Sequence, residues 1–446
     1  MYVYYTIDFT TIGGKMNAYQ IIRSVLYYMS KNVIVIGGGS SGLMAACTAA
    51  ESGAHVTLLD KNPRLGRKLL LTGGGRCNVT NNREQAEIIA HIPGNGRFLH
   101  SAFHQFNQYD IMRYFTSRGI ALKEEDHGRM FPTTDKARTI LEAFIEELKR
   151  QNVTVKTKAV VKKINYQEGI ITGVTLDSGE ELPADRIVLA TGGKTYSKTG
   201  STGDGYRFGK KVGHTITELY PTEAPITSDD AFIQDRTLKG LSLRDVALSV
   251  KNKKGKTVVT HQMDMIFTHF GVSGPAALRC SMFVHQTKKR DNTDFVSMTL
   301  DIFPDLSSGQ VEQKLYQFIK EAPDKNVKNG WKDLMPERYL LFGLQQYGIN
   351  PEQTLKSLQP KDIQNFVKFT KEFQFSANGT LPIDKAFVTG GGISTKEVNP
   401  KTMESKLQPG LYFCGELLDY NGYTGGYNIT GAFVTGHVAG SHAALD

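Results

Sequence analysis

The chain has 446 residues, 22% of them charged and 40% hydrophobic, and a formal net charge of +9. That length exceeds what one hydrophobic core usually organises and points to two domains or to one domain carrying a large insertion. No apolar run approaches the ~18 residues of a membrane span, and Cys47, Cys77, Cys280 and Cys414 lack CxxC or Cys/His spacing, so a membrane helix, a zinc site and a secreted disulfide framework are all argued against.

Residues 1–30 form an extension outside the first recognisable unit, and "MSKNVIVIGGG" reads as a natural beginning at Met29. The segment lacks the charged n-region, apolar core and small-residue cleavage site of a secretory signal, so a cytoplasmic location is expected. From Lys31, "KNVIVIGGGSSGLMAACTAAESGAHVTLLDKN" reads as an apolar strand, a glycine turn, an alanine-rich helix ending at Gly53 and a second apolar strand closing on Asp60. Gly37, Gly39 and Gly42 supply G-x-G-x-x-G: a tight turn, a close approach for a pyrophosphate, and close packing of helix on strand. Phosphates would sit at the helix N-terminus beside Ser41, and Asp60, with Lys61 after it, is placed to bind ribose hydroxyls.

An NAD dehydrogenase would continue into a third strand and helix, whereas here follows "NPRLGRKLLLTGGGRCNVTNN". Bare backbone at Gly73, Gly74 and Gly75 lets a planar ring or a pyrophosphate lie against the main chain beside Thr72, while Arg67, Lys68 and Arg76 can offset phosphate charge. FAD suits this loop better than NAD. Cys77 and Asn78 fall where loop and flavin should meet; with no cysteine close by in sequence, Cys77 reads as a small packing residue rather than a redox thiol, and Asn78 as a hydrogen-bond partner of the loop.

Next comes a helix in "DKARTILEAFIEELKR", then alternating β-segments, with Val160 where an FAD fold of this class usually contacts adenine, and a buried strand "RIVLATGG" whose end, Thr191, Gly192 and Gly193, makes another close-approach turn. From about Pro221 to Pro382 strand-like alternation gives way to a mostly helical stretch, Gly309 to Phe373. This is an insert. In it, "FTHFGVSGPAAL" places Ser273 and Pro275 as cap and first turn of a helix starting at Ala276, and His269 as a candidate proton donor to substrate. Arg129 in "EEDHGRMFP" is a candidate for holding a substrate anion. The chain returns at "KAFVTGGGIS"; "GLYFCGE" makes a last buried strand ending in Gly415, a cofactor-binding candidate, and Glu416, which can accept hydrogen bonds from the ribityl chain, and the helix opening near Asn428 and Ile429 aims its N–H groups at the flavin's pyrimidine edge.

Taken together, "VIGGGSSGLMAA", "GRKLLLTGGGRCNVTN", "GRMFP", "LATGG", "FTHFGVSGPAAL" and "GLYFCGELLDYNGYTGGYNITGAFVTG" resemble the bacterial BaiN/RdsA, or aminoacetone-oxidase-like, family of NAD(P)/FAD-dependent oxidoreductases, from about Lys31 to the end of the chain. The resemblance implies an α/β protein: a Rossmann-like, glutathione-reductase-type FAD domain (31–215 and 385–446) interrupted by an insert (216–384) made of a small β-barrel and a helical piece. It also implies hydride transfer through the flavin between NAD(P)H and a small cyclic or unsaturated carbonyl-type molecule. Two alternatives stay open, a flavin oxidase using oxygen and a nucleic-acid-associated flavoprotein of the tRNA-modifying type. Lysines and arginines spread along the chain instead of forming a block, which speaks for a solvated basic surface and against a nucleic-acid partner. Mid-chain, "GSTGDGYRFGKKVG" has the wrong spacing for a second dinucleotide fingerprint, so NAD(P)H and substrate are expected to share one cavity in turn.

Overall fold

The computed structural model describes residues 30–445, so the predicted extension, except for Ser30, lies outside the described residues. The apolar run Asn32–Ile36 forms β1, covered on both faces as a central parallel strand must be. Gly37, with φ +109°, turns the chain into α1 (Ser40–Glu51), and β2 (His55–Asp60) returns beside β1. Helix α2 (Ala137–Arg150) buries the stripe Ile140, Leu141, Phe144 and Leu148 and leads into β3 (Thr154–Thr157). With β4 (Arg186–Leu189) and β5 (Leu411–Phe413) these strands make one parallel sheet in the order β5-β4-β1-β2-β3.

The C-terminal helix α3 (Tyr427–Leu445) lies against α1. The approach is close because two glycines on α3 meet bare backbone: a β-carbon at Gly436 would stand 2.4 Å from the Ser41 carbonyl oxygen, and one at Gly440 would stand 2.3 Å from that of Ala45. A methyl at either place would push the helices apart.

The insert has its own core. Buried apolar residues from Ile226 to Ala377 pack around Trp331, Tyr339, Phe366 and Phe369, apart from the core of the parallel sheet. Its strands pair antiparallel, 242–251 with 257–267 and 296–301, then 271–273, 226–227 and 379–380. The segment 373–380 pairs with 296–301 through its first half and with 226–227 through its second, and between them the Asn378 N–H donates to the Thr227 carbonyl at 3.0 Å. One bent segment thus supplies both edges, and the sheet closes into a small barrel, leaving no free edge. Helices at 308–321, 337–346 and 360–372 complete the insert. An antiparallel pair, Tyr220–Thr222 with Val388–Gly390, forms the stalk joining insert to sheet.

One local expectation is corrected. The helix Pro275–Asp291 begins one residue before Ala276, and its cap position is Gly274 (φ +90°), not Ser273. Ser273 is the last residue of a strand, in register with Ile266, so its backbone serves the sheet and its side chain makes no cap bond.

Candidate functional site

A cavity of about 610 Å³ opens at the carboxyl ends of the parallel strands, where α/β sheets hold their ligands. Asp60 at the end of β2, Thr191 and Gly192 after β4, and Glu416 after β5 all line it. Its volume lies within the ~300 to 1,000 Å³ usual for small-molecule and cofactor sites.

At one side, the turn Gly37 to Ser41 presents the N-terminus of α1. A β-carbon built on Gly39 meets no atom within 4 Å, so that position faces open space. Gly42 differs: its β-carbon would stand 1.8 Å from the Gly37 carbonyl oxygen, so it serves helix-to-strand packing, behind the cavity wall. Asp60 is buried. Its Oδ2 accepts from the Gly38 N–H at 2.7 Å, and its Oδ1 accepts from the Asn62 N–H at 2.7 Å and side-chain amide at 2.9 Å. The carboxylate therefore stiffens the turn and has one of its roughly four acceptor sites left over.

The loop at 72–78 explains its composition. Gly73, Gly74 and Gly75 all have positive φ (55°, 66° and 88°), a region costing most L-residues about 1 to 2 kcal/mol each. Gly73 is also tight, since its β-carbon would lie 2.9 Å from Phe131, whereas Gly74 faces open cavity. Gly75 lies off the wall. Cys77 does not face the cavity either: it is fully buried, and desolvation pushes its thiol up to about 12, so it packs as a small apolar group. Asn78 does line the cavity.

Three basic residues of this region are held by acids of the chain itself. Lys61 pairs with Asp204 at 2.5 Å, Lys68 with Glu416 at 2.5 Å, and Arg76 with Glu125 at 2.6 Å while lying 4.2 Å over the Phe131 ring. Arg67 donates to Asn62 Oδ1 at 2.8 Å and, among the described residues, has no carboxylate partner. Glu416 is a junction: Lys68 binds its Oε2, and Thr195 Oγ1 and the Thr389 N–H each donate to its Oε1 at 2.9 Å. Three segments far apart in sequence are tied at one carboxylate.

Val160 lines the cavity and is 40% exposed, an apolar surface left uncovered. Gly193 and Gly415 stand behind the wall; a β-carbon would meet Thr389 Oγ1 at 2.3 Å in the first case and Ser41 Oγ at 2.3 Å in the second. Asn428 and Ile429, at the start of α3, also line the cavity. Asn428 spends its amide on the preceding turn, accepting from the Gly422 N–H and donating to the Gly422 carbonyl, both at 2.8 Å, so what the helix end offers the cavity is its backbone N–H groups.

Of the two candidates for handling substrate, only Arg129 reaches the cavity. Its Nε donates to the Asp126 carbonyl at 2.9 Å, and its guanidinium carbon lies 5.6 Å from the Phe131 ring centre. His269 sits exposed in the hairpin between strands 257–267 and 271–273, against Phe270, and is absent from the wall.

The sequence reading missed a cluster at the junction of insert and α3. Glu223, buried at the end of the stalk with φ +51°, accepts from the Thr424 N–H at 2.7 Å; Arg279, on the helix Pro275–Asp291, donates to the Thr424 carbonyl at 3.2 Å and lies 5.1 Å over the Tyr423 ring. The insert thus grips both backbone groups of Thr424, in the loop that lines the cavity and leads into α3. Burial pushes the Glu223 carboxyl up to about 7 against the opposing pull of Thr424 and Arg279. His261, its ring centre 4.8 Å from that of Tyr423, is pushed down to about 4 by burial and by Arg279, and stays neutral. The visible signal was the pair of glycines in "GYTGGYN"; partners 201 and 145 residues away were not visible.

Comparison with known proteins matches residues 31–442 to the family described as HI0933-like protein Rossmann domain. The chain is 32% identical over 404 residues to a ribosomal RNA dihydrouridine synthase of Escherichia coli K12, covering 90% of this chain and 95% of that protein. It is 30% identical over 418 residues to a 3-dehydro-bile acid delta(4,6)-reductase of Clostridium scindens, covering 92% and 98%. A ribosomal RNA dihydrouridine synthase of Haemophilus influenzae is 28% identical over 402 residues, covering 90% and 95%.

Proposed function

The chain belongs to the HI0933-like Rossmann-domain family, of BaiN/RdsA type, and is an FAD-dependent oxidoreductase; within that class we propose that it saturates a carbon–carbon double bond conjugated to a carbonyl, with NAD(P)H as reductant. Dihydrouridine synthesis and delta(4,6)-reduction, the activities of the relatives, share that chemistry: each removes unsaturation from a ring bearing a carbonyl.

The cavity fits FAD on its own geometry. Gly39 and Gly74 leave open space where any side chain would intrude, and helix N-termini face the cavity from α1 and from α3. The observation that carries the proposal is this pairing. One helix end suits a pyrophosphate, and the other suits the anionic edge of a reduced flavin, each stabilised by about 0.5 to 2 kcal/mol. FAD supplies the hydride chemistry. Gly37 to Ser41 and Asp60 would hold its pyrophosphate and ribose, the loop 72–78 its ring system, and Gly425 to Ile429 the pyrimidine edge. Phe131, Tyr423 and Phe387, all in the wall, give a planar substrate an apolar bed that excludes water. Arg129 orients an anionic or carbonyl oxygen there.

A second reading, that the reduced ring is a uracil within RNA, draws on two of the three relatives and on the net charge of +9. Product analysis separates the two. The protein with NAD(P)H is supplied with a cyclic enone or with unmodified ribosomal RNA, and mass spectrometry reads saturated ketone or dihydrouridine; neither product would refute the proposal.

A further inference from the structure

Seven of the 53 lysines and arginines, from two short runs of the sequence, are brought together by the fold at one place. The hairpin between strands 242–251 and 257–267 carries Lys251, Lys253, Lys254 and Lys256, and the helix Pro275–Asp291 ends in Lys288, Lys289 and Arg290. Asp291 joins the two, its Oδ2 accepting from the Lys253 N–H at 2.8 Å. Lys253, Lys254 and Lys256 are exposed, and among the described residues none has an ion-pair partner. Lys251 donates to Thr257 Oγ1 and Lys288 to the Asn378 carbonyl, and among the described residues neither has a carboxylate partner. The acids within the patch are Asp291, paired to Arg290 at 2.9 Å, and Glu218, paired to Lys289, with Asp294 just beyond. Seven cations outnumber three carboxylates, and the excess lies on the hairpin tip.

The same helix connects this patch to the cavity. Arg279 touches Thr424 in the cavity wall, and Lys288 to Arg290 follow nine to eleven residues later, roughly 15 Å along the axis at 1.5 Å per residue. A solvated basic face needs no such placement. A polyanion that delivers one of its units to the cavity does, because its flanking charges must be held within reach of the mouth.

We propose that Lys253, Lys254, Lys256, Lys289 and Arg290 form the docking surface for the phosphate backbone of an RNA, one base of which is presented to the cavity. This rests on the second reading above. Point charges on flexible stems suit phosphates read without sequence preference, so the patch supplies affinity and register while the cavity supplies the choice of base.

The test uses full-length, FAD-loaded protein and a variant carrying Lys253→Glu, Lys254→Glu and Lys256→Glu, with a fluorescently labelled structured RNA rich in uridine as the probe. Unchanged flavin content and unchanged bleaching by NAD(P)H show that the variant is folded. Anisotropy titrations at several salt concentrations should show salt-dependent binding by the wild type. The variant should bind at least about tenfold more weakly, with a log K against log salt slope shallower by about 2 to 3. Equal affinity and slope in the variant would overturn the docking surface while leaving the RNA reading intact. No RNA binding by the wild type would overturn the RNA reading, and the surface with it, without touching the reduction of small enones. Binding to phosphatidylserine vesicles that the variant loses and RNA fails to displace would assign the patch to an anionic membrane and overturn the proposal.

Discussion

Two glycines three residues apart, Gly39 and Gly42, should fail in opposite ways. At Gly39 the backbone (φ −84°, ψ −171°) suits any L-residue, and a β-carbon meets no protein atom within 4 Å, so Gly39→Val should leave the apoprotein's stability within about 0.5 kcal/mol of wild type. Its side chain would project into the space where a pyrophosphate lies against the helix N-terminus. Affinity for FAD should therefore fall at least about 100-fold, about 2.8 kcal/mol. At Gly42 a β-carbon would stand 1.8 Å from the Gly37 carbonyl oxygen, a backbone atom of a sharp turn that has little freedom to yield. Gly42→Ala should cost about 3 kcal/mol of apoprotein stability, at the upper end of overpacking penalties, by prising α1 from the sheet. Visible absorbance with calorimetric titration of FAD reads the first effect, and urea unfolding of flavin-free protein the second. Stoichiometric flavin in Gly39→Val, or a Gly42→Ala apoprotein as stable as wild type, would refute the reasoning.

Glu223 binds its proton more tightly folded (about 7) than unfolded (4.5), so its contribution to stability is fully present below pH ~4.5 and is lost as pH rises through ~7; Glu223→Gln should remove a slope worth about 3 kcal/mol between those limits, read by urea unfolding across pH, and an unchanged slope would show that Glu223 is not the group titrating. Cys77→Ser should retain most flavin reduction by NAD(P)H, since the thiol is fully buried and protonated; complete loss with flavin still bound would mean that the thiol relays electrons. Lys68→Met should leave the Glu416 carboxylate with its Thr195 and Thr389 donors but no cation, weakening FAD retention by about tenfold in a spin-column assay; undiminished retention would show that the tie is unimportant to the cofactor.

What the sequence made legible was local. The run from Lys31 to Asp60, the helix Ala137–Arg150 and the strand-to-helix end of the chain could be read because each is specified by neighbours within a turn or a strand. The glycines at 73–75 were readable as bare backbone, but not their division of labour, since only packing shows that Gly73 abuts Phe131 while Gly74 faces the cavity. Two loop cations read as offsetting phosphate charge, Lys68 and Arg76, proved to have acids waiting for them, Glu416 and Glu125, 348 and 49 residues away. The same holds for the grip of Glu223 and Arg279 on Thr424, and for the closure of the barrel by one bent segment. His269 was chosen because histidine chemistry suits proton donation. Its place in a hairpin tip depends on strand register, which the pattern alone does not fix.

In the proposed function one cavity passes a hydride from NAD(P)H to a conjugated substrate by way of bound flavin. Every pairing of named strands outside the parallel sheet is antiparallel, so the described residues offer the nucleotide no second Rossmann sheet. The most direct measurement is anaerobic stopped-flow absorbance of the purified protein, mixed first with NAD(P)H and then, after the oxidised nucleotide is removed, with a cyclic enone or with RNA. NAD(P)H alone should bleach the flavin, the second compound should restore the colour, and steady-state rates should give parallel double-reciprocal lines. Protein purified without flavin, a flavin that NAD(P)H does not bleach, or intersecting lines with a stable ternary complex would contradict the proposed function.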